Sequence, residues 1–264
     1  MNSETSSSAV TETLHVLRSK VQNLGAEELV TWAWRTFGSR VALASSLGLE
    51  DQVLTDMLSR LAPGMTIFTL DTGRLFPETY ELLQRTREHY GLDMRVYFPD
   101  ARDVEELVSS FGPNLFRESV ALRKRCCFAR KVLPLRRALA GLAVWICGLR
   151  KEQSSTREDI QTVEWDEGNW LVKLNPLAAW TEAEVWTYIR EHGVPYNALH
   201  DKGFPSIGCA CCTRATWPGE DYRAGRWWWE VPEKKECGLH WRDGKLLRPA
   251  LSPQPTQGAQ TTER

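Results

Sequence analysis

Residues 40–51 read Arg40-Val41-Ala42-Leu43-Ala44-Ser45-Ser46-Leu47-Gly48-Leu49-Glu50-Asp51, and this stretch decides the architecture. Arg40 to Ala44 has the length and apolar run of a buried strand, and a helix follows to about Leu61. Between them lies a loop of small polar residues. Such a loop offers backbone N–H groups and hydroxyls at a helix N-terminus, where the macrodipole favours a phosphate or sulfate. An ordinary turn with a serine N-cap would use the same residues, so the loop alone leaves its purpose open.

Outward from that unit the alternation repeats. Met65 to Leu70 is a second strand, ending in Asp71-Thr72-Gly73-Arg74, and Pro77 and Glu78 open a helix through about Tyr90. Met94 to Phe98 and Leu142 to Cys147 are further strands, and a helix with Val104 and Leu107 on its apolar side lies between them. Strands alternating with helices predict an α/β fold with a doubly wound parallel sheet, whose ligands lie at the carboxyl ends of the strands. The Ser45-Ser46 loop, the Asp71-Thr72-Gly73 turn and the polar run from Gly148 to Arg157 all fall at that edge. Asp71 suits an adenine amine or a ribose hydroxyl, and it equally suits a turn that caps the next helix.

Before this core, residues 1–10 are polar and are expected to be disordered, with helices from Thr11 and from Ala26 to Phe37. After it, Trp165 to Val172 reads as a short hairpin. Thr181 with Glu184 forms a capping box for a helix that ends at Gly193. Arg223 and Arg226, three residues apart, suit bidentate contact with an oxyanion. The run Trp227-Trp228-Trp229 reads as packing, and from Trp241 onward the chain is Pro/Gln/Thr-rich and expected to be mobile.

Charge is nearly balanced, 33 basic residues against 34 acidic. No global field argues for nucleic acid or an anionic membrane, so anion recognition must be local. No apolar run is long enough to cross a bilayer and no secretion signal is legible, so a soluble cytoplasmic protein is expected. In that compartment the seven cysteines point to metal or redox chemistry more than to a disulfide framework.

Cys126 and Cys127 are adjacent and rarely bridge, because a disulfide needs Cα atoms further apart than the roughly 3.8 Å of chain neighbours. With Cys209 and Cys212, a C-x-x-C pair enclosing Cys211, they form a soft four-sulfur donor set for zinc or an iron-sulfur cluster. Contiguous ligands crowd a single ion, whereas a cubane offers each thiolate its own iron, so the argument favours a [4Fe-4S] cluster, one per subunit. Lys131, four residues after Cys127, is expected on that cysteine's helical face as electrostatic compensation. Arg123 to Arg125 suit a solvated helix surface or the site equally. Cys147, flanked by apolar strand residues, reads as an inert core thiol. Cys237, beside Gly238 and near His240, has the access and basic surroundings of a nucleophile.

Taken together, Ser45-Ser46-Leu47-Gly48-Leu49-Glu50-Asp51, Leu70-Asp71-Thr72-Gly73, Cys126-Cys127, Gly148-Leu149-Arg150 with Thr156-Arg157, Cys209 to Cys212 and Glu236-Cys237-Gly238-Leu239-His240 resemble the assimilatory sulfonucleotide reductases. They are most similar to the cluster-containing adenylyl-sulfate (APS) reductases, over roughly residues 26–241. The resemblance implies a nucleotide alpha hydrolase-like domain over 26–241, its CxxC and nucleophile segment spanning 203–241. A leading tail and helix, 1–25, would precede it and a flexible tail, 242–264, would follow.

It also implies attack by Cys237 on the sulfur of the substrate, release of AMP, and an S-sulfocysteine that thioredoxin or a glutaredoxin-like dithiol protein resolves to sulfite. Substrate contacts implied by matching positions are Ser45, Ser46, Gly48, Asp71, Thr72 and Gly73, with Gly148 and His240. Lys131, Arg157, Arg223 and Arg226 would neutralise the phosphosulfate.

Two departures stand out. Cys211 replaces the proline usual inside the CxxC, and Ser-Ser-Leu-Gly is closer to the loop associated with the 3'-phosphorylated substrate (PAPS). A PAPS or dual-specificity enzyme is therefore the first alternative, and a zinc-stabilised nucleotide-binding module the second. Whether the protein forms a homo-oligomer is not legible in the sequence.

Overall fold

The structure, a computed structural model, describes residues 3–153 and 159–231. Its centre is a six-stranded sheet in the order β3-β2-β1-β4-β6-β5. The strands are β1 (Val41–Ala44), β2 (Thr66–Leu70), β3 (Arg95–Tyr97), β4 (Val144–Ile146), β5 (Val163–Asp166) and β6 (Leu171–Leu174). All neighbours are parallel except β5 and β6, the expected hairpin, which makes the sheet mixed at one edge.

Both faces are covered, as the alternation along the central strands requires. Val41, Leu43, Val144 and Ile146 point into a core shared with α2 (Ala26–Phe37), α3 (Leu49–Leu61) and α8 (Glu182–His192). Ala42, Phe68 and Trp145 point the other way, against Leu135, Ala138 and Leu139 of α7 (Leu133–Leu139). The remaining helices are α1 (Ser3–Val21), α4 (Pro77–Tyr90), α5 (Ala101–Phe111) and α6 (Val120–Cys127). Local signals hold where they were specific: Thr181 and Glu184 form the capping box of α8, and Gly193 ends it with a left-handed backbone.

Two expectations are corrected. α1 starts at Ser3 rather than Thr11. A nucleus over 11–21 is extended cheaply, each further residue adding one hydrogen bond, so the polar start joins the helix. Lys131 does not sit one α-helical turn beyond Cys127, because Phe128–Val132 forms a π-helical turn between α6 and α7. The wider turn rotates the cations that follow relative to the cysteines.

The chain runs from β1 through β2 to β3 on one side and then returns to place β4 on the other side of β1. Loops leaving β1 and β4 therefore diverge, and a crevice opens between them at their carboxyl ends.

Candidate functional site

The crevice is a cleft of about 210 Å³. Ser45 and Ser46 from the loop after β1, and Gly148 after β4, form one side of it. The loop is held from within. The Asp51 carboxylate accepts from the Ser46 N–H and hydroxyl, both at 2.6 Å, and from the Gly148 N–H at 3.1 Å. Ser45 Oγ accepts from the Leu47 N–H at 3.2 Å. Leu47 is buried with φ at 61°, a strained value for a branched side chain and one that clusters at binding sites. With the Ser45 N–H donating to Phe68 O at 2.8 Å, three of the loop's N–H groups are thus taken by the protein, a departure from a loop with all its donors facing a ligand.

Gly148 is required by proximity. A Cβ there would collide with Asp51 Oδ1 and lie 2.8 Å from Glu50 Cβ. Burial pushes the Asp51 carboxyl up to about 6, although its hydrogen bonds from Ser46 act in the opposite direction. Glu50 is buried as well and accepts from Arg150 Nε at 2.7 Å.

Of the other expected contacts, Gly48, Thr72, Lys131, Arg223 and Arg226 line the cleft. Asp71 and Gly73 do not. Asp71 Oδ1 accepts from the Gly73 N–H at 2.7 Å and from the Tyr80 hydroxyl at 3.0 Å, so the side chain serves its own turn. Cys147 is buried on the cleft wall, and desolvation holds its thiol well above the usual range. Gln153, from the polar run after β4, lines the cleft too, as does His200, which no motif marked. Arg157, Cys237 and His240 lie outside the described residues.

A second, smaller cavity of about 20 Å³ adjoins the cleft. α6 brings Cys126 and Cys127 to it, and a tight turn at Ala210–Cys212 brings Cys209, Cys211 and Cys212. The turn is pinned by Ala210 N–H to Arg74 O at 2.8 Å and by Trp227 N–H to Cys212 O at 3.0 Å. Thr72 Oγ1 lies 3.3 Å from Cys209 Sγ. Desolvation pushes the Cys126 thiol up. The Cys211 and Cys212 sulfurs lie 3.8 Å apart, with either able to donate to the other. The hydrogen bond from Cys212 and the nearby Arg74 guanidinium hold Cys211 down, to about 6, and the Cys212 thiol is raised.

Among the described residues the wall carries five thiols, five cations and no carboxylate. The cations are Lys131, Arg226, Arg123, which the sequence left between surface and site, and two that it gave no role, Arg74 and Arg130. Arg130 donates to Thr72 O at 2.7 Å. Arg123 is fully buried, donates twice to Glu230 at 2.7 and 2.9 Å, and lies 4.5 Å above the Trp227 ring. Its signal was available: residues 123 and 127 share a helical face.

No group of three or more His, Cys, Asp or Glu among the described residues is spaced for a single ion. The donor set suits a larger anionic thiolate assembly, since soft sulfurs and surrounding cations match its chemistry and charge. Lys131, Arg226 and Trp227 stand on the walls of both cavities.

The family profile of the phosphoadenosine phosphosulfate reductase domain matches residues 40–215. A protein named adenosine 5'-phosphosulfate reductase from Allochromatium vinosum is 51% identical over 228 residues, 86% of this chain and 89% of its own length. One of the same name from Burkholderia cepacia is 51% identical over 76% of this chain and 80% of its own. Among solved structures, phosphoadenylyl-sulfate (PAPS) reductase from Candida auris superposes with a TM-score of 0.66 at 31% identity, covering 75% of this chain and 95% of that one. An FMN adenylyltransferase from Candida glabrata shares the fold at 15% identity, with a TM-score of 0.51 over 79% of this chain and 75% of its own. The matched span runs from the strand before the serine loop through the cysteine turn, and on that footing the chain belongs to the phosphoadenosine phosphosulfate reductase domain family.

Proposed function

We propose that the protein reduces adenosine 5'-phosphosulfate to sulfite and AMP in sulfate assimilation, with Cys237 as the nucleophile. The observation that carries this reading is the wall shared by cleft and cysteine cavity, where Lys131 and Arg226 face both. An anionic nucleophile attacking a phosphosulfate is opposed by charge, and cations positioned in advance remove that opposition. Lys131, Arg223 and Arg226, joined by Arg157, play that part, while the Ser45 to Gly48 loop and Gly148 orient the nucleotide. Ser45, Ser46, Gly48, Thr72 and Gly148 contact it, with His240 from the C-terminal segment; Asp71 and Gly73 act by shaping the turn that presents Thr72.

The Cys237 thiolate forms a bond to sulfur as the sulfur–oxygen bond to AMP breaks, leaving S-sulfocysteine. Two electrons from a dithiol protein of the thioredoxin or glutaredoxin kind then release sulfite, and that partner leaves as its disulfide. Both half-reactions are assigned to the cytoplasm. Cys126, Cys127, Cys209 and Cys212 would hold a [4Fe-4S] cluster, one per subunit. Bound there, it would supply fixed negative charge beside Arg74, Arg123, Arg130, Lys131 and Arg226 and would not carry electrons. Relatives at about half identity named for APS support that substrate over PAPS, while Ser-Ser-Leu-Gly and the Candida auris likeness keep PAPS as the second reading.

The test is intact-protein mass spectrometry after anaerobic incubation with APS, and separately PAPS, without a dithiol. A sulfite-sized adduct is expected on wild type and not on Cys237→Ser, forming faster with APS. Absence of any adduct on metal-loaded wild type would sink the reading.

A further inference from the structure

The loop side of the cysteine cavity holds one thiol more than the ligand set proposed above requires. A [4Fe-4S] cluster takes one thiolate per iron, and five sulfurs line this cavity. Cys209 is set apart from its two neighbours. It opens the tight turn, and its sulfur faces Thr72 Oγ1 at 3.3 Å. Cys211 and Cys212 are not distinguished in this way. Their sulfurs lie 3.8 Å apart, in contact, on the same cavity, although side chains of sequence neighbours usually diverge.

We propose that Cys211 and Cys212 share one ligand position, so that either completes the set with Cys126, Cys127 and Cys209. This rests on the cluster reading above. The backbone beneath the two sulfurs is fixed: Cys212 N–H donates to Cys209 O at 2.9 Å, and Cys212 O accepts from Trp227 N–H at 3.0 Å. Exchange is therefore a side-chain rotation, which staggered rotamers make inexpensive. Arg74 Nη1 lies 3.7 Å from Cys211 Sγ and places a cation beside that sulfur. The balance is simple. The Cys211 thiolate takes the ligand position as the Cys212 thiolate leaves it, one proton passes from the first sulfur to the second, and no electron moves.

Iron and acid-labile sulfide per chain, with the visible spectrum, test this on anaerobically purified full-length protein. Cys211→Ala and Cys212→Ser are each expected to match wild type in iron and sulfide, Cys212→Ser with a shifted absorbance. The double variant is expected to fall roughly tenfold. Cys212→Ser losing iron as completely as the double variant, while keeping the wild-type circular dichroism, overturns the proposal.

A second measurement needs no variant. Iron-loaded wild type is alkylated natively with iodoacetamide and its peptides mapped. Label is expected to be divided between Cys211 and Cys212, never on both in one chain, and label confined to Cys211 overturns the proposal. Wild type that retains no iron or sulfide even after reconstitution fails the cluster reading itself, which separates the two failures.

Discussion

The cleft and the cysteine cavity share a wall, yet they carry charge in opposite ways. In the cleft the buried acids are satisfied by the chain: Asp51 by Ser46 and Gly148, Glu50 by Arg150. Around the cysteines, cations line the wall, and the Glu230 carboxylate pairs with Arg123. The cleft thus has its shape set before any ligand arrives, whereas the cavity gathers five cations against its five sulfurs. Substitutions on either side should separate the two regimes.

The largest effect is expected at Arg123, on the cavity side. Arg123→Met leaves Glu230 buried without its partner, a loss of about 3–5 kcal/mol for pairs of this kind. A thermal melt should show it, and Arg123→Met/Glu230→Met should recover much of the loss. AMP affinity should change little, and a large change there would break the separation.

Gly148→Ala strikes the cleft instead, pushing Asp51 away from the serine loop. AMP affinity by calorimetry should fall roughly 100-fold, the scale of a 1 Å misplacement. Iron content should stay at the wild-type value.

The smallest effect is a pH dependence at Asp51. Its folded-state pKa, about 6, lies above the ordinary aspartate value of 3.8 because the carboxyl is buried. Its contribution to stability is therefore full below pH 3.8 and is lost as pH rises through about 6, because the folded state holds the proton longer. Melting temperatures of wild type measured against Asp51→Asn should fall by a few degrees across that window. A flat difference would show that the Ser46 hydrogen bonds cancel burial, and a rise that they outweigh it.

The strand-loop-helix units were legible because each is a local pattern: a short apolar run, then small residues, then helical spacing. The cysteine spacing was legible for the same reason. What escaped depends on which element lies behind which. Asp71 sits at the expected edge, but only packing reveals that Tyr80 and Gly73 occupy its carboxylate. Arg74 follows that turn in sequence and meets Cys211 only because the cysteine turn docks on it. Arg123 to Arg125 divided three ways, with Arg123 buried, Lys124 exposed and Arg125 over the Phe111 ring at 4.4 Å. No local rule distinguishes these fates.

The π turn at Phe128–Val132 carries a consequence of register. It accommodates an extra residue between the cysteine-bearing helix and α7, so the length of that segment, more than its composition, aims Arg130 and Lys131. Deleting one residue there would turn everything on one side by about 100° against the other, the angle of a single α-helical step. Natural variants of this chain are expected to change letters in this segment and to keep its count.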